Sequence, residues 1–245
     1  MAERAAKIRV FVDAPLAPGQ SVALTAQAHY LVNVMRLGPG AAVALFNGRD
    51  GEWRAEVTVA QKRRVDLTCQ TRTAPQMDPP DLWLCFAPIK KARTDFIVEK
   101  AAELGARRIQ PVITQFTNAE RVRIDRLQAH AVEAAEQCGG TFVPDVAPPA
   151  RLSALLDSWP AGRSLMFCDE TRDAAPATRA LAAAAPGPWA ILIGPEGGFT
   201  TQEAARLRAM PAVLPVTLGP RVLRADTAAA AAIAVWQSVL GDWGA

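Results

Sequence analysis

The chain has 245 residues, of which 50% are hydrophobic and 21% are charged. This composition is typical of a folded globular protein and excludes a largely disordered chain. No hydrophobic run approaches the roughly 18 residues that a membrane span requires, and the charged N-terminal segment does not resemble a signal peptide. Four scattered cysteines and two histidines lack the spacing of a metal site or a disulfide framework. We therefore expect a cytoplasmic protein without a metal ion and without a membrane partner.

The net charge of +3 is distributed unevenly along the chain. Residues 1–77 contain ten Lys and Arg against six Asp and Glu, whereas residues 78–245 contain seventeen against eighteen. An excess of this size fits a polyanionic partner, but it fits an ordinary solvated surface equally well.

Residues 1–73 carry short hydrophobic runs that are separated by turn signals. IRVFV, SVALT, AVALF, EWRAEVTVA and RVDLTC predict strands, with a hairpin turn at Asn47-Gly48 and Asp50-Gly51. AQAHYLVNVMRL predicts one short helix that ends before Gly38. This pattern favours a small β-barrel-like domain. Residues 74–81 contain three prolines and no periodicity, so they are the predicted linker.

Residues 82–245 alternate strands with helices. LWLCF, RIQPVIT, SLMFC, WAILI and VLPVT predict strands, and the last of these is the weakest because Pro215 cannot donate to a ladder. Helices are predicted from about Thr94 to Leu104 and from Ile124 to Cys138. Alternation of this kind indicates an α/β domain with a mostly parallel sheet.

The first notable loop, GPEGGFTTQE, follows the strand WAILI. Its glycines permit close backbone approach, and Thr200 with Glu203 has the spacing of a capping box that begins a helix. The loop is either a plain strand-to-helix turn or a ligand site that uses backbone groups. Neither a P-loop lysine nor the GxGxxG pattern is present, which argues against a nucleoside triphosphate or NAD.

The second loop, LGPRVLRADTA, carries charge where the first carries glycine. Asp226 and Thr227 stand where helix caps are favourable, but Arg221 and Arg224 precede the positive end of a helix dipole, where cations are mildly unfavourable. Arg224 is therefore the leading functional residue, with a simple surface role as the alternative.

GPEGGFT followed by LGPRVLRADTA resembles the paired C-terminal signature of the small-subunit rRNA uridine-N3 methyltransferases (RsmE), members of the SPOUT superfamily. HYLVNVMRL, EKAAELGARRIQPV and EAAEQCGG are similar to further blocks of that family, in the same order. The resemblance covers nearly the whole chain. It implies a PUA-like RNA-binding β-barrel at residues 1–73 and an α/β methyltransferase domain with a trefoil knot at residues 82–245.

The resemblance also implies a ligand and its residues. S-adenosylmethionine (SAM) would be bound largely by backbone groups of the two loops, at Gly194, Glu196, Gly197, Leu218, Gly219, Leu223 and Thr227. In the chemistry at uracil N3, Arg224 would stabilise the anion that forms on loss of the imide proton, and either Glu196 or Asp226 could remove that proton. The chain departs from the family at Asp226, where glutamate is usual, at Tyr30, where a second histidine is usual, and at QFTNAER, which replaces an arginine-serine element.

The expected partner is 16S rRNA of the small ribosomal subunit. His29 matches a family position, and the basic side chains expected to contact phosphates are Arg9, Arg36, Lys90, Lys91, Arg93 and Arg121. The family further implies a homodimer, for which the Ala-rich C-terminal helix is the expected interface. The alternative is a catalytically inactive RNA-binding protein of the same fold. A hydrolase has little support, because the sequence offers no candidate nucleophile paired with a catalytic base.

Overall fold

In the computed structural model of the chain, residues 6–118, 122–171 and 173–244 are described. They form two compact units, one from residues 1–78 with 135–142 and the other from residues 79–134 with 143–245. None of the helices in these described ranges is long and hydrophobic enough to cross a membrane.

The first unit is built on a five-stranded sheet in the order β1-β3-β4-β5-β2. β1 runs parallel to β3, and the other neighbours are antiparallel. Alternate residues of the long strands face a core that includes Leu31, Leu45 and Leu67. The strands are β1 (Arg9–Phe11), β2 (Ser21–Leu24), β3 (Ala42–Phe46), β4 (Glu52–Gln61) and β5 (Arg64–Ala74).

The helix predicted between β2 and β3 is a five-residue π-helix, Tyr30–Val34. The prediction of an ordinary helix was wrong in type. β-Branched valines and an asparagine in YLVNV lower the α-helical propensity, while the buried side chains of Ala28 and Leu31 hold the turn on the sheet.

Arg9 is a structural residue of the first unit. Its Nε donates to Oε2 of Glu52 at 2.6 Å, and its guanidinium also donates to the carbonyls of Ala135 at 2.6 Å, Glu136 at 3.0 Å and Gly140 at 2.7 Å. These carbonyls belong to the last residues of α2 (Ile124–Cys138) and the turn after it, where a cation is favourable. The β1 strand and residues 135–142 are thereby fixed to each other.

The second unit contains a seven-stranded parallel sheet. Its order is β12-β10-β11-β6-β7-β8, and β9 pairs with β7 beside this path. The predicted strand VLPVT forms β12 at the edge of the sheet, where the missing N–H of Pro215 is tolerated. The strands are β6 (Leu82–Phe86), β7 (Arg108–Ile113), β8 (Asp145–Val146), β9 (Ala150–Arg151), β10 (Ser164–Cys168), β11 (Trp189–Ile193) and β12 (Val213–Val216).

Helices cover this sheet because the strands are hydrophobic runs; all five residues of β11 are buried. α6 presents Ala228, Ala229 and Ala232 to the core and packs on α1 and α4. These three alanines are thus packed within the chain, whereas Ala230, Ala231 and Ala234 of the same helix are half-buried, so the homodimer interface predicted at this helix stays a prediction. The remaining helices are α1 (Lys91–Glu103), α3 (Leu152–Asp157), α4 (Ala177–Ala182), α5 (Thr201–Ala209) and α6 (Ala225–Val239).

Candidate active site

Three loops meet at the carboxyl edge of the parallel sheet. β10 lies between β11 and β12, so the turn after β10 stands between the GPEGG loop after β11 and the LGPR loop after β12. The carboxyl edge of a parallel α/β sheet is the usual place for a ligand. The two loops singled out in the sequence are therefore brought together, with a third loop between them.

These loops enclose a cavity of about 230 Å³. Of the residues predicted to bind the cofactor, five line it: Gly194, Glu196, Leu218, Gly219 and Leu223. Arg224 also lines it. Gly197 and Thr227 are exposed and are not among the residues of the cavity wall. The wall further includes Cys168, Asp169, Glu170, Ile193, Pro195, Phe199, Thr217, Arg221, Val222, Ala225 and Ala228.

The turn after β10 was missed by the sequence analysis. It contributes Cys168, Asp169 and Glu170 to the cavity. A signal was present, because two acidic residues directly follow the hydrophobic strand SLMFC. What could not be read from the sequence is the strand order, which places β10 between the two loops that had been recognised.

Asp169 is a buried anchor of this turn. Its Oδ2 accepts hydrogen bonds from Arg208 at 2.8 and 2.5 Å, and its Oδ1 accepts from the backbone N–H of Thr171 at 3.0 Å and its hydroxyl at 2.9 Å. Burial raises the pKa of Asp169, but the bonds from Arg208 and Thr171 outweigh it and hold the pKa below its ordinary value. Burial raises the pKa of the neighbouring Cys168 thiol to about 12, so this cysteine is not a thiolate nucleophile at neutral pH.

Glycines in the first loop allow two close contacts. A Cβ on Gly194 would lie 2.7 Å from the Phe199 ring, which itself packs edge-on against Phe167 with centroids 5.3 Å apart. Gly198 has φ of +67°, and a Cβ there would overlap the carboxylate of Glu170. The loop therefore depends on glycine at both positions.

The predicted capping box is confirmed where this loop enters α5. The Thr200 hydroxyl accepts from the N–H of Glu203 at 3.1 Å, and the Glu203 carboxylate accepts from the N–H of Thr200 at 2.9 Å. Glu203 also accepts from the N–H of Gln115 at 2.9 Å, so the cap also ties this loop to the chain after β7.

The second loop enters α6 without a side-chain cap. The N-cap residue is Arg224, and the helix begins at Ala225. The prediction that Asp226 caps the helix was therefore wrong in position. Asp226 lies inside the first turn of α6, where its negative charge interacts favourably with the helix dipole. Within the described part of the chain, no hydrogen bond or ion pair joins the exposed guanidinium of Arg221 or Arg224 to another side chain.

Arg93 stands beside both recognised loops. Its Nη1 lies 3.8 Å from Oε1 of Glu196, and its Nε lies 3.8 Å from Oδ2 of Asp226. The side chain is one-third exposed. Arg93 was expected to contact RNA phosphates, whereas its position in α1 engages it with two carboxylates at the rim of the cavity.

The other residues expected to contact RNA differ in exposure. Four of them are exposed: His29, Arg36, Lys90 and Lys91. The Arg9 side chain is only 14% exposed, and it already donates to the carbonyls described above. Arg121 lies outside the described residues.

Across the ranges that the structure describes, no group of three or more His, Cys, Asp or Glu side chains could hold a metal ion.

Comparison with known proteins assigns a family. A family model for the RNA methyltransferase domain matches residues 76–237, and one for the RNA methyltransferase PUA domain matches residues 25–68. The chain belongs to the RNA methyltransferase family. It is 31% identical over 220 residues to ribosomal RNA small subunit methyltransferase E of Synechocystis, covering 88% of this chain and 72% of that one. The Rickettsia conorii enzyme of the same name is 28% identical, with 92% and 93% covered.

Solved structures agree with this assignment along the whole chain. Ribosomal RNA small subunit methyltransferase E of Neisseria gonorrhoeae, bound to SAM, has a TM-score of 0.84 and 31% identity, covering 96% of this chain and 99% of that one. A methyltransferase of Legionella pneumophila in complex with SAM has a TM-score of 0.85 and 28% identity, covering 96% and 98%. The α/β fold with an N-terminal PUA domain is thus the fold of these enzymes.

Proposed function

We propose that this protein transfers the methyl group of SAM to N3 of a uridine in 16S rRNA of the small ribosomal subunit. The observation that carries the proposal is the cavity between three loops, at the site where the family signature lies. Its wall contains glycines and two arginines, Arg221 and Arg224, for which the described residues supply no side-chain partner. SAM-bound relatives support SAM as the ligand. SAM supplies an activated methyl group when it is bound.

The residues that would hold SAM fit its chemistry. Backbone groups at Gly194 and Leu218 offer donors and acceptors to adenine and the amino-acid portion, while Leu223 and Phe199 supply hydrophobic contact. Gly219 lines the same wall, and its N–H and carbonyl are hydrogen-bonded to the Thr217 hydroxyl at 3.3 and 3.2 Å. A sulfonium cation needs no basic cradle, which agrees with the carboxylates of Glu170 and Glu196 in the wall. Gly197 and Thr227 would act on the loops from outside the cavity.

Methylation of uracil N3 requires loss of the imide proton, which leaves negative charge on N3, O2 and O4. We assign stabilisation of this charge to Arg224, a residue of the cavity wall whose guanidinium has no hydrogen-bond or ion-pair partner among the described residues. Glu196 is the proposed proton acceptor, because this residue lines the same cavity and its side chain is 48% exposed. The products are S-adenosylhomocysteine, N3-methyluridine and a proton.

Mass spectrometry of nucleosides from 16S rRNA tests the proposal directly. Cells that lack the gene should lose N3-methyluridine from this RNA, and the purified protein with SAM should restore it. The inactive RNA-binding alternative predicts unchanged nucleosides and no SAM binding by calorimetry. A result of that kind would remove the enzymatic function while leaving RNA binding in place.

Further properties follow from family membership and are part of the same proposal. They are a trefoil knot of the SPOUT type around the cavity, a homodimer that forms through the half-buried face of α6, and a cytoplasmic location with the ribosome. Sedimentation equilibrium checks the homodimer, and a monomer at micromolar concentration would reject it.

A further inference from the structure

One short surface of the first unit exposes large side chains that its core does not need. We define the 29–36 surface as residues 29–36, which contain the π-helix. Tyr30 is 47% exposed, Val34 58% and Met35 39%, while Leu31 between them is fully buried and anchors the turn. Single exposed hydrophobic residues are normal, but three within six residues form a patch that requires an explanation.

The backbone of this surface is unusual as well. The N–H of Met35 donates to the carbonyl of Tyr30 at 2.9 Å, which is the i to i+5 bond of a π-helix. Arg36 follows with φ of +55°, and it is the one non-glycine residue with positive φ in the described ranges. π-Helical turns and strained non-glycine residues are both concentrated at functional sites. The turn at Arg36 is closed by a hydrogen bond from the N–H of Leu37 to the carbonyl of the buried Leu31 at 2.9 Å.

The charge of the segment selects the class of partner. Between Asp13 and Asp50 the sequence contains no acidic residue, whereas His29 and Arg36 flank the exposed side chains. A surface that combines an aromatic ring, hydrophobic contact and a cation fits an unpaired RNA strand, in which bases stack on aromatics and phosphates meet arginine. Double-stranded RNA does not fit, because its bases are not accessible to stacking. A membrane does not fit either, because it requires a larger basic cluster.

We propose that Tyr30 is a stacking platform for an unpaired nucleobase of the RNA substrate, with Arg36 at the adjacent phosphate. The identity of the RNA rests on the proposed function, but the stacking contact does not depend on methyl transfer. Val34 and Met35 extend the hydrophobic surface beside the ring. The partner class is therefore single-stranded RNA, recognised with little dependence on base identity.

The chain contains a single tyrosine, which allows a direct test. Incorporation of 3-fluorotyrosine gives one fluorine resonance, and that resonance reports on Tyr30 alone. A single-stranded oligonucleotide from 16S rRNA should shift it, whereas the same sequence as a duplex and inorganic polyphosphate should not. Equal shifts with polyphosphate would mean that only charge is recognised, and no shift with any RNA would also overturn the proposal.

Variants measure the contribution of the ring. Tyr30→Ala should weaken binding of the single strand about 10- to 100-fold, Tyr30→Phe should retain most of the affinity, and Tyr30→Leu should not. Arg36→Gln should instead reduce the slope of log affinity against log salt by about 0.7. Met77→Ala is the matched control, since Met77 is 60% exposed in the same unit.

Failure of this inference is distinguishable from failure of the proposed function. If Tyr30→Ala binds RNA with wild-type affinity while N3-methyluridine still forms, the stacking platform is rejected and the methyltransferase stands. If Tyr30→Ala loses RNA affinity in a protein that never methylates RNA, the platform stands and the methyltransferase is rejected. Unchanged SAM affinity and circular dichroism of each variant exclude misfolding, and the fluorine measurement on the unsubstituted chain does not depend on the variants.

Discussion

Arg93 and Asp226 form an ion pair that joins the first turn of α1 to the first turn of α6. Nε of Arg93 lies 3.8 Å from Oδ2 of Asp226, and the same guanidinium lies 3.8 Å from Glu196 in the other loop. One side chain from the start of the α/β domain therefore connects both loops of the cavity. Neither loop motif in the sequence indicated that Arg93 lies beside both loops.

Arg93→Met should lower kcat/KM about 2- to 10-fold, because it leaves two carboxylates unpaired at the cavity rim. The effect is modest because partly exposed ion pairs contribute about 0.2–1 kcal/mol each. The salt dependence of RNA binding should stay as in the wild type. Steady-state kinetics and filter binding at several salt concentrations provide both measurements.

Lys91→Met is the matched control for Arg93, because Lys91 is exposed and lies in the same turn of α1. We expect it to reduce the salt slope of RNA binding by about 0.7–0.9 and to leave SAM affinity unchanged. If Arg93→Met reduced the slope as much as Lys91→Met, Arg93 would be a phosphate contact, as its charge alone had suggested.

Arg224→Ala should retain most SAM affinity, since backbone groups dominate that contact, yet lose turnover about 100- to 1000-fold. A single charge-directed donor in a transition state is worth about 2.7 to 4 kcal/mol. Arg224→Lys should rescue only partly, because an ammonium lacks the planar fork of guanidinium. Reverse transcription stops at N3-methyluridine and gives the rate in a single turnover, where a wild-type rate for Arg224→Ala would reject the catalytic role.

Gly194→Ala should weaken SAM binding by about 1–3 kcal/mol, the usual cost of overpacking. The new methyl group would lie 2.7 Å from the Phe199 ring and displace it in the cavity wall. Gly197→Ala serves as the comparison. Its Cβ would lie 3.3 Å from Phe116, outside the cavity wall. Calorimetry that ranked the two variants in the opposite order would contradict the placement of the loop.

Asp169→Asn should destabilise the protein at neutral pH by about 1–3 kcal/mol, because Arg208 loses a charged acceptor. The folded-state pKa of Asp169 lies below its ordinary value of 3.8, so its contribution is complete above that value. This contribution is lost as the pH falls through the folded-state pKa. Urea unfolding at decreasing pH should therefore show a constant difference between wild type and variant at neutral pH, and a difference that narrows once the pH falls below 3.8.

Asp157→Asn is the control for this experiment, since Asp157 pairs with Arg206 at 2.6 Å but has a side chain that is 71% exposed. It should change the free energy of unfolding by less than about 1 kcal/mol. A loss as large as that of Asp169→Asn would mean that burial of Asp169 is not what makes its pairing strong.

Local pattern predicted much of this fold. α2 has the predicted bounds, the capping box at Thr200 is present, and the strands SLMFC and WAILI are β10 and β11. These features depend on neighbours within a few residues, through hydrogen bonding and hydrophobic periodicity. The π-helix departs from prediction because burial of Leu31, a tertiary effect, decides the backbone there.

The part of the site that was predicted is the part that local sequence patterns determine. Gly194, Leu218 and Arg224 could be found because each lies in a loop with its own local signature. Glu170 was missed, and Arg93 was predicted only as a phosphate contact, because their positions at the cavity depend on strand order and on the position of α1 against two distant loops. Such placement is decided by long-range packing, and no short stretch of sequence encodes it.

Among the described strands, β12 pairs with β10, while the N–H of Val213 donates to the carbonyl of Met210 at 3.0 Å; beyond the end of β12, Thr217 exchanges backbone hydrogen bonds with residues 175 and 177. Three of its four residues are only half-buried, and Pro215 contributes no ladder donor. An edge strand of this kind separates at a lower free energy than the interior strands, so one side of the cavity opens while the rest of the sheet stays paired. Slower amide exchange of Val216 on addition of SAM would then show that the bound ligand holds the last strand in place, and the rate of that opening would limit how fast spent cofactor leaves.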